Sequence, residues 1–351
     1  MTSSAQFFDH PDEASAWDSL IAASGGHVLQ SWAWGELKSG FGWQVQRVKL
    51  GPACAQVLYR DLLGGLGTIA YVPKGPLVDS ALSSGGQIAL QDLLEAIHPL
   101  AKRMRAICLK IEPDEEEDPA LARRLMSLGF RASPQAIQPR RSIVIDLQDQ
   151  PDTLLKRMKQ KTRYNIRLSE RKGVTVRAGD ENDLLEFYQL MQSTSERDGF
   201  GIHSQEYYDT AHRLFVPPGQ GCLLLAEHGG KLLAGLVVLA MGETACYMYG
   251  ASSSESRNLM PTYLLQWEAM LWAKEQGCRA YDLWGVPDEE ESALEADFTK
   301  RSDGLWGVYR FKRGFGGRLV RTMGAWDLVY APLRYRLYEA GLGWLNRRQA
   351  N

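Results

Sequence analysis

Two distant stretches of the chain repeat one order of elements. The apolar run TIAYVP is followed by a loop, an amphipathic segment from Gln87 to Met104 and the run AICLKI; further on, ACYMYG is followed by a loop, a segment from Pro261 to Gln276 and RAYDLW. Strand, loop, helix and strand taken twice predict two tandem domains of one mixed α/β architecture. Length agrees, because 351 residues exceed what a single core organises.

Composition removes several classes. With 44% apolar and 23% charged residues the chain is globular. A net charge of -2 argues against a generic polyanion binder, so any nucleic-acid contact must come from a local patch. Cys54, Cys108, Cys222, Cys246 and Cys278 form no CxxC pair, which predicts neither a metal site nor a disulfide framework and fits a reducing compartment. MTSSAQFFDHPDE lacks the pattern of a signal peptide, and no apolar run reaches the roughly 18 residues of a spanning helix. A soluble, cytoplasmic protein is expected.

The strongest compositional signal is basic. From Lys156 to Arg177 there are nine cations and one acid, Glu170, in a segment read as one helix over 152–172. Lys159, Arg163, Arg167 and Arg171 recur every four residues and draw a positive stripe along one helical face. A solvated helix normally intersperses acids; their near absence here favours an anionic partner able to offer several phosphates.

LWGVYRFKRGFGGR, Leu305 to Arg318, sets Tyr309, Phe311, Lys312 and Arg313 before Gly314, Gly316 and Gly317. It reads either as a phosphate or carboxylate clamp or as a strand ending in a turn with its charges in water. Tyr71, Tyr247, Tyr249 and Tyr281 stand at strand ends; Tyr247 and Tyr249, two apart, are expected on one face. Phenols there either donate to a substrate oxyanion or pack in the core. No GxSxG, HExxH, Walker lysine loop or strand-linked GxGxxG is present.

In order, LQSWAWGELKSGFGW, YVPKGPLVD, IQPRRSIVIDL, MKQKTRYNIRLSERKGV, RDGFGIHSQEYY, YMYGASSSESRNLMPTYLLQWEAMLWAKEQGCRAYDLWGV and YRFKRGFGG resemble the FemABX family of peptidoglycan aminoacyltransferases. The resemblance implies two tandem domains with the fold of GCN5-related N-acyltransferases. A precursor-binding domain would comprise 1–150 plus 318–351, and an acyl-donor domain 151–317. It implies transfer of an amino acid from aminoacyl-tRNA, with no other cofactor, to the side-chain amine of a peptidoglycan precursor, either UDP-MurNAc-pentapeptide or its lipid-linked form. The implied protein is a monomer of the cytoplasm or the inner membrane face, and the basic helix becomes a tRNA surface.

Carried over by residue, Lys38 of WAWGELK matches a contact to the precursor's phosphates. Tyr71 and Asp79 of YVPKGPLVD occupy substrate-site positions, Asp79 being either a general base or an Asx cap. Tyr207 matches a substrate-binding tyrosine, whereas His203 stands where many relatives have arginine, which puts one phosphate contact in doubt. Tyr247 and Tyr249 match paired site tyrosines, and Phe311-Lys312 match the Phe-Lys pair at the reacting ends. Lys312 is then the cation that stabilises the tetrahedral oxyanion or the leaving ribose oxygen.

No segment sustains the heptads of the coiled-coil arm found in some members, so the chain is the short form. The turn SSSESRNLMPTY offers no glycine to wrap a pyrophosphate, which makes an acyl-CoA-dependent N-acyltransferase the second reading. A non-catalytic tRNA- or wall-precursor-binding protein is the third, supported by His203. PLRYRLYEAGLGWLNRR is amphipathic and suits packing on the first domain or contact with a membrane.

Overall fold

Both repeated stretches fold in the expected order. In the computed structural model, which describes residues 4–78 and 84–349, strand Thr68–Val72 leads through helix Ser84–Arg103 to strand Ala106–Ile111. Strand Thr244–Ser252 leads likewise through helix Pro261–Glu275 to strand Ala280–Gly285. Each strand pair is parallel, as a crossover through a helix allows, and is flanked by antiparallel neighbours.

The first unit comprises residues up to Arg140 and from Arg321 onward; the second is Arg141–Val320. The main path of the first sheet runs Gln6–Phe7, Gln44–Leu50, Ala53–Asp61, Thr68–Val72, Ala106–Ile111, Trp326–Val329, Arg131–Ala132. The second runs Thr175–Ala178, Gly221–His228, Lys231–Met241, Thr244–Ser252, Ala280–Gly285, Arg141–Asp146, Arg318–Arg321. Place for place the orders correspond, with the parallel pair in the same position.

Both boundaries differ from the sequence reading, which closes the first domain at 150 with RSIVIDL and resumes it at 318, where strand Arg318–Arg321 belongs to the second sheet. Strand Arg141–Asp146 instead pairs with Ala280–Gly285 in the second sheet, because Ile143 and Ile145 are buried with Leu224, Trp267 and Leu283. Lys231–Met241 is apolar almost throughout because both its faces are covered: Leu236 and Val238 enter a core with helix Pro261–Glu275, while Val237 faces Leu184 and Phe187 of helix Leu184–Asp198.

The basic segment is two helices, Pro151–Arg157 and Gln160–Arg171, rather than one. Buried Met158 and extended Lys159 break it, and the Lys159 N–H donates to the Gly314 carbonyl at 2.9 Å. The stretch expected as a strand is helix Trp306–Lys312 with a 3-10 turn at Arg313–Phe315. Its buried residues Trp306, Tyr309 and Lys312 recur at a spacing of three, which is a helical face. The glycines after it admit the chain's own atoms rather than a ligand. A Cβ on Gly314 would lie 2.2 Å from the Thr162 hydroxyl oxygen, and one on Gly317, at φ +89, would lie 2.6 Å from the Val144 carbonyl.

Gly317→Ala therefore meets both a left-handed backbone and a rigid carbonyl. It is expected to cost about 1 to 3 kcal/mol of stability, read as a lower midpoint in urea unfolding; an unchanged midpoint contradicts the packing described.

Candidate active site

Parallel pairing between Thr244–Ser252 and Ala280–Gly285 spans only Thr244 with Ala280, Ala245 with Tyr281 and Cys246 with Asp282. Beyond that point each strand carries an irregularity. In the first, Tyr247 pairs with Val238 and Tyr249 with Val237, leaving Met248 as an extra residue. In the second, Asp282 pairs with Val144 and Gly285 with Ser142, so Leu283 and Trp284 together oppose one residue. Trp284 takes φ +65, uncommon for a bulky side chain, and its N–H donates to the Asp282 carboxylate at 2.7 Å.

The strands part where Lys312 enters. Its side chain, on a residue only 5% exposed, donates from Nζ to the Gly285 carbonyl at 2.9 Å and lies 5.5 Å from the centre of the Tyr247 ring. Burial pushes the ammonium down from the usual lysine range to about 7, and the Asp282 carboxylate pulls it back up. Phe311 packs edge-on to Tyr263 and Phe315 at 5.0 and 5.1 Å, forming the apolar wall beside Lys312 in sequence. Burial raises the Tyr247 phenol to about 12, so it keeps its proton and can donate. The neighbouring cation Arg313 turns outward to Glu295, which also accepts the Tyr309 hydroxyl at 2.6 Å. The clamp expected of this stretch thus closes on a carboxylate of the chain itself.

Tyr247 and Tyr249 do not share a face. The extra residue between them inverts the alternation: Tyr247 packs with Leu224 and Val238, Tyr249 with Leu223, Leu225 and Val237. On that second face Tyr249 donates to the Tyr207 hydroxyl oxygen at 3.4 Å and meets Tyr208 edge-on at 5.2 Å. His203, exposed, stacks on Tyr207 at 3.8 Å. Burial raises Tyr207 to about 12 and Tyr249 well above the usual phenol value.

In the first unit, Lys38 ends helix Trp32–Ser39 with its Nζ 4.5 Å over the Trp34 ring. Burial and the nearby Arg60 together push Lys38 down to about 8. Arg60 lies 5.3 Å over the Trp43 ring, and Trp43 is 6.2 Å from Tyr71. Two cations held close beside aromatic rings suit a divalent anion such as a diphosphate. Tyr71 is buried, donates to the Glu112 carboxylate and accepts from Gln138 Nε2 at 3.0 Å, so its hydroxyl is committed inside the unit. Asp79 lies outside the described residues.

The basic segment contributes a cavity of about 350 Å³ lined by Asp152, Leu155, Lys156, Arg163 and Arg167. The expected four-residue stripe is altered by the break at 158–159. Lys159 sits before the second helix, Arg163 donates to the carbonyls of Lys156 and Met158 and so caps the first helix, and Arg167 and Arg171 are exposed.

The sequence model of the FemAB family matches residues 16–227 and 223–341. The chain belongs to the FemAB family. It is a transferase of the aminoacyltransferase kind. This FemAB protein is 26% identical to "Lipid II:glycine glycyltransferase" of Staphylococcus saprophyticus, the match covering 90% of the chain and 91% of the relative, and 25% identical to the enzyme of the same name from Staphylococcus aureus, covering 90% of each. The alignments run to 390 and 394 positions, more than the 351 residues here, so the relatives carry inserted segments and this is a short form. The solved structure titled "Crystal structure of FemX" superposes with a TM-score of 0.83 at 24% identity, covering 95% of the chain and 99% of that structure. A tandem GNAT protein from the clavulanic acid pathway gives 0.50 at 14% identity, covering 92% and 98%. The fold is therefore two tandem GCN5-related acyltransferase domains.

Asp282 and Arg60 were given no role by the sequence. An acid within the apolar strand YDLW was the available signal for the first, since a buried carboxylate needs partners; a cation ending the strand of Ala53–Asp61 is too common to mark the second. Asp282→Asn keeps an oxygen for the Trp284 N–H and removes the charge that favours the Lys312 ammonium. NMR titration of isotope-labelled lysine should place the Lys312 midpoint lower by about one pH unit; an unmoved midpoint removes Asp282 from this role.

Proposed function

We propose that this protein transfers an amino acid from aminoacyl-tRNA to the side-chain amine of a peptidoglycan precursor, building the interpeptide bridge, with no other cofactor. The observation that carries the reading is the buried Lys312 where strands 244–252 and 280–285 separate, in a FemAB chain whose relatives are named glycyltransferases. The second unit takes the acyl donor. The first takes the precursor, with Lys38 and Arg60 on its phosphates.

The amine attacks the ester carbonyl, a carbon–nitrogen bond forms, and the bond to the ribose oxygen breaks. Negative charge develops first on the carbonyl oxygen and then on the ribose oxygen. Lys312 stabilises the former and supplies a proton to the latter, while the Tyr247 phenol, which stays protonated, is a second donor. Asp79 is assigned the amine's proton. The ester is already activated, so positioning and charge stabilisation carry most of the rate.

The turn before helix Pro261–Glu275 weighs against acyl-CoA. Pro261 opens the helix and has no N–H to give a pyrophosphate, and the two left-handed residues there, Ser256 and Met260, carry side chains. Of the four cations assigned to tRNA phosphates, Arg167 and Arg171 are exposed and hold no helix cap.

Lys312→Met is expected to lower kcat about 100-fold, with little change in precursor KM; steady-state kinetics with unaltered kcat remove it from catalysis. Charge reversal at Arg167 and Arg171 should raise KM for aminoacyl-tRNA more than for precursor, and donor KM should climb steeply with salt. Equal changes for both substrates would mean that the basic helix holds no tRNA.

A further inference from the structure

The three most exposed large apolar side chains among the described residues are Leu63 at 92%, Leu333 at 77% and Leu337 at 61%. All belong to the first unit, and all extend from segments that enclose one small cluster: Ile69, Ile107, Cys108 and Tyr335, with Trp43, Leu62 and Tyr338 packed against it. Leu63 follows Leu62 at a turn tip where Gly64 and Gly65 take φ of +71 and +68. Leu333 and Leu337 lie four apart on helix Pro332–Gln349, on the side opposite Tyr335 and Tyr338, which turn inward. A leucine exposed singly needs no account. Three around one cluster mark a surface built to be covered.

Charge says by what. Arg334 and Arg336 are exposed between the two helical leucines, with no acid among residues 333–337, and the helix sequence continues to Arg347 and Arg348. Glu339, the acid that follows, faces Arg131 at 3.4 Å. Apolar side chains flanked by arginines on the outer side of a helix suit the boundary of a bilayer bearing anionic headgroups, where leucine enters the acyl region and arginine stays with phosphate. No helix among the described residues is long and apolar enough to cross a membrane, so the contact is peripheral. The patch is also continuous with the candidate phosphate site, because Trp43 of this cluster carries Arg60 over its ring.

We propose that Leu63, Leu333 and Leu337, with Arg334 and Arg336, seat the first unit on an anionic lipid surface, where it takes its acceptor in lipid-linked rather than soluble form. The choice of acceptor rests on the function proposed above; the surface contact does not.

The full chain is mixed with vesicles of phosphatidylcholine alone, and with one quarter phosphatidylglycerol, and sedimented. Binding is expected to the anionic vesicles. Leu63→Ser, Leu333→Ser and Leu337→Ser should each weaken it about tenfold, and Arg334→Glu with Arg336→Glu should weaken it more than tenfold on anionic vesicles alone. Circular dichroism and thermal unfolding confirm that each variant is folded; should the leucine variants aggregate, the arginine pair decides. A wild-type chain that stays in the supernatant, or variants that sediment equally, overturn the contact. Transfer assays with nucleotide-linked and vesicle-borne precursor separate the two readings. Vesicle binding without transfer to either precursor overturns the function and leaves the contact standing. Transfer to vesicle-borne precursor that survives loss of the leucines overturns the inference and leaves the function.

Discussion

The interaction on which the site depends is a single charge-assisted hydrogen bond, from the Lys312 ammonium to the Gly285 carbonyl. That carbonyl is presented only because the strand carrying it departs from regular pairing at Leu283 and Trp284, and the departure is held by the Asp282 carboxylate on the Trp284 N–H. A regular strand would carry its pairing onward and fill the space with ladder hydrogen bonds. The unfavourable left-handed Trp284 is thus the local cost of an opening in an otherwise continuous sheet.

Burying an ammonium costs several kcal/mol even after the surroundings relax, and one carbonyl with one nearby carboxylate offsets only part of this. The balance leaves Lys312 near 7, able to stand charged against an oxyanion or to surrender its proton to a departing alkoxide at neutral pH. A fully solvated lysine would hold its proton too tightly for the second task. An isolated buried one would have lost it before the first. The tyrosines behave differently, since burial only strengthens their hold on the proton and keeps them as donors.

Much of the fold was legible because apolar periodicity survives burial. The repeated strand–helix–strand order and the helix at Pro261–Glu275 follow from it directly. What was not legible had one physical origin: one or two residues of irregular backbone. The extra residue at Met248 sends Tyr247 and Tyr249 to opposite faces, and spacing alone assigns them to the same one. Met158 and Lys159 divide a segment whose charge pattern runs unbroken through the division. YRFKR reads as alternation, yet Trp306, Tyr309 and Lys312 bury at a helical spacing because the core lies on one side only. The five cysteines, by contrast, are buried as their apolar settings predict.

The two units show what the irregularities do, because they share strand order and differ where it matters. In the first, parallel pairing continues through Tyr71 with Lys110 and Val72 with Ile111, and then past the strand ends: the Glu112 N–H donates to Val72 at 3.1 Å and the Gly75 N–H to Glu112 at 3.0 Å. The Tyr71 hydroxyl seals the same place by donating to the Glu112 side chain. Its register shift falls at Thr68 and Ile69, the beginning of the pair, where it opens nothing. In the second unit the shifts fall at the end and the strands part. An extended acyl chain needs unpaired backbone to lie against, and among the described parallel pairs only the second unit's separates to leave it. In the closed unit the paired cations lie elsewhere, Lys38 over the Trp34 ring and Arg60 over the Trp43 ring. One topology thus yields a sealed strand pair in one unit and an open one in the other by moving a bulge along a strand.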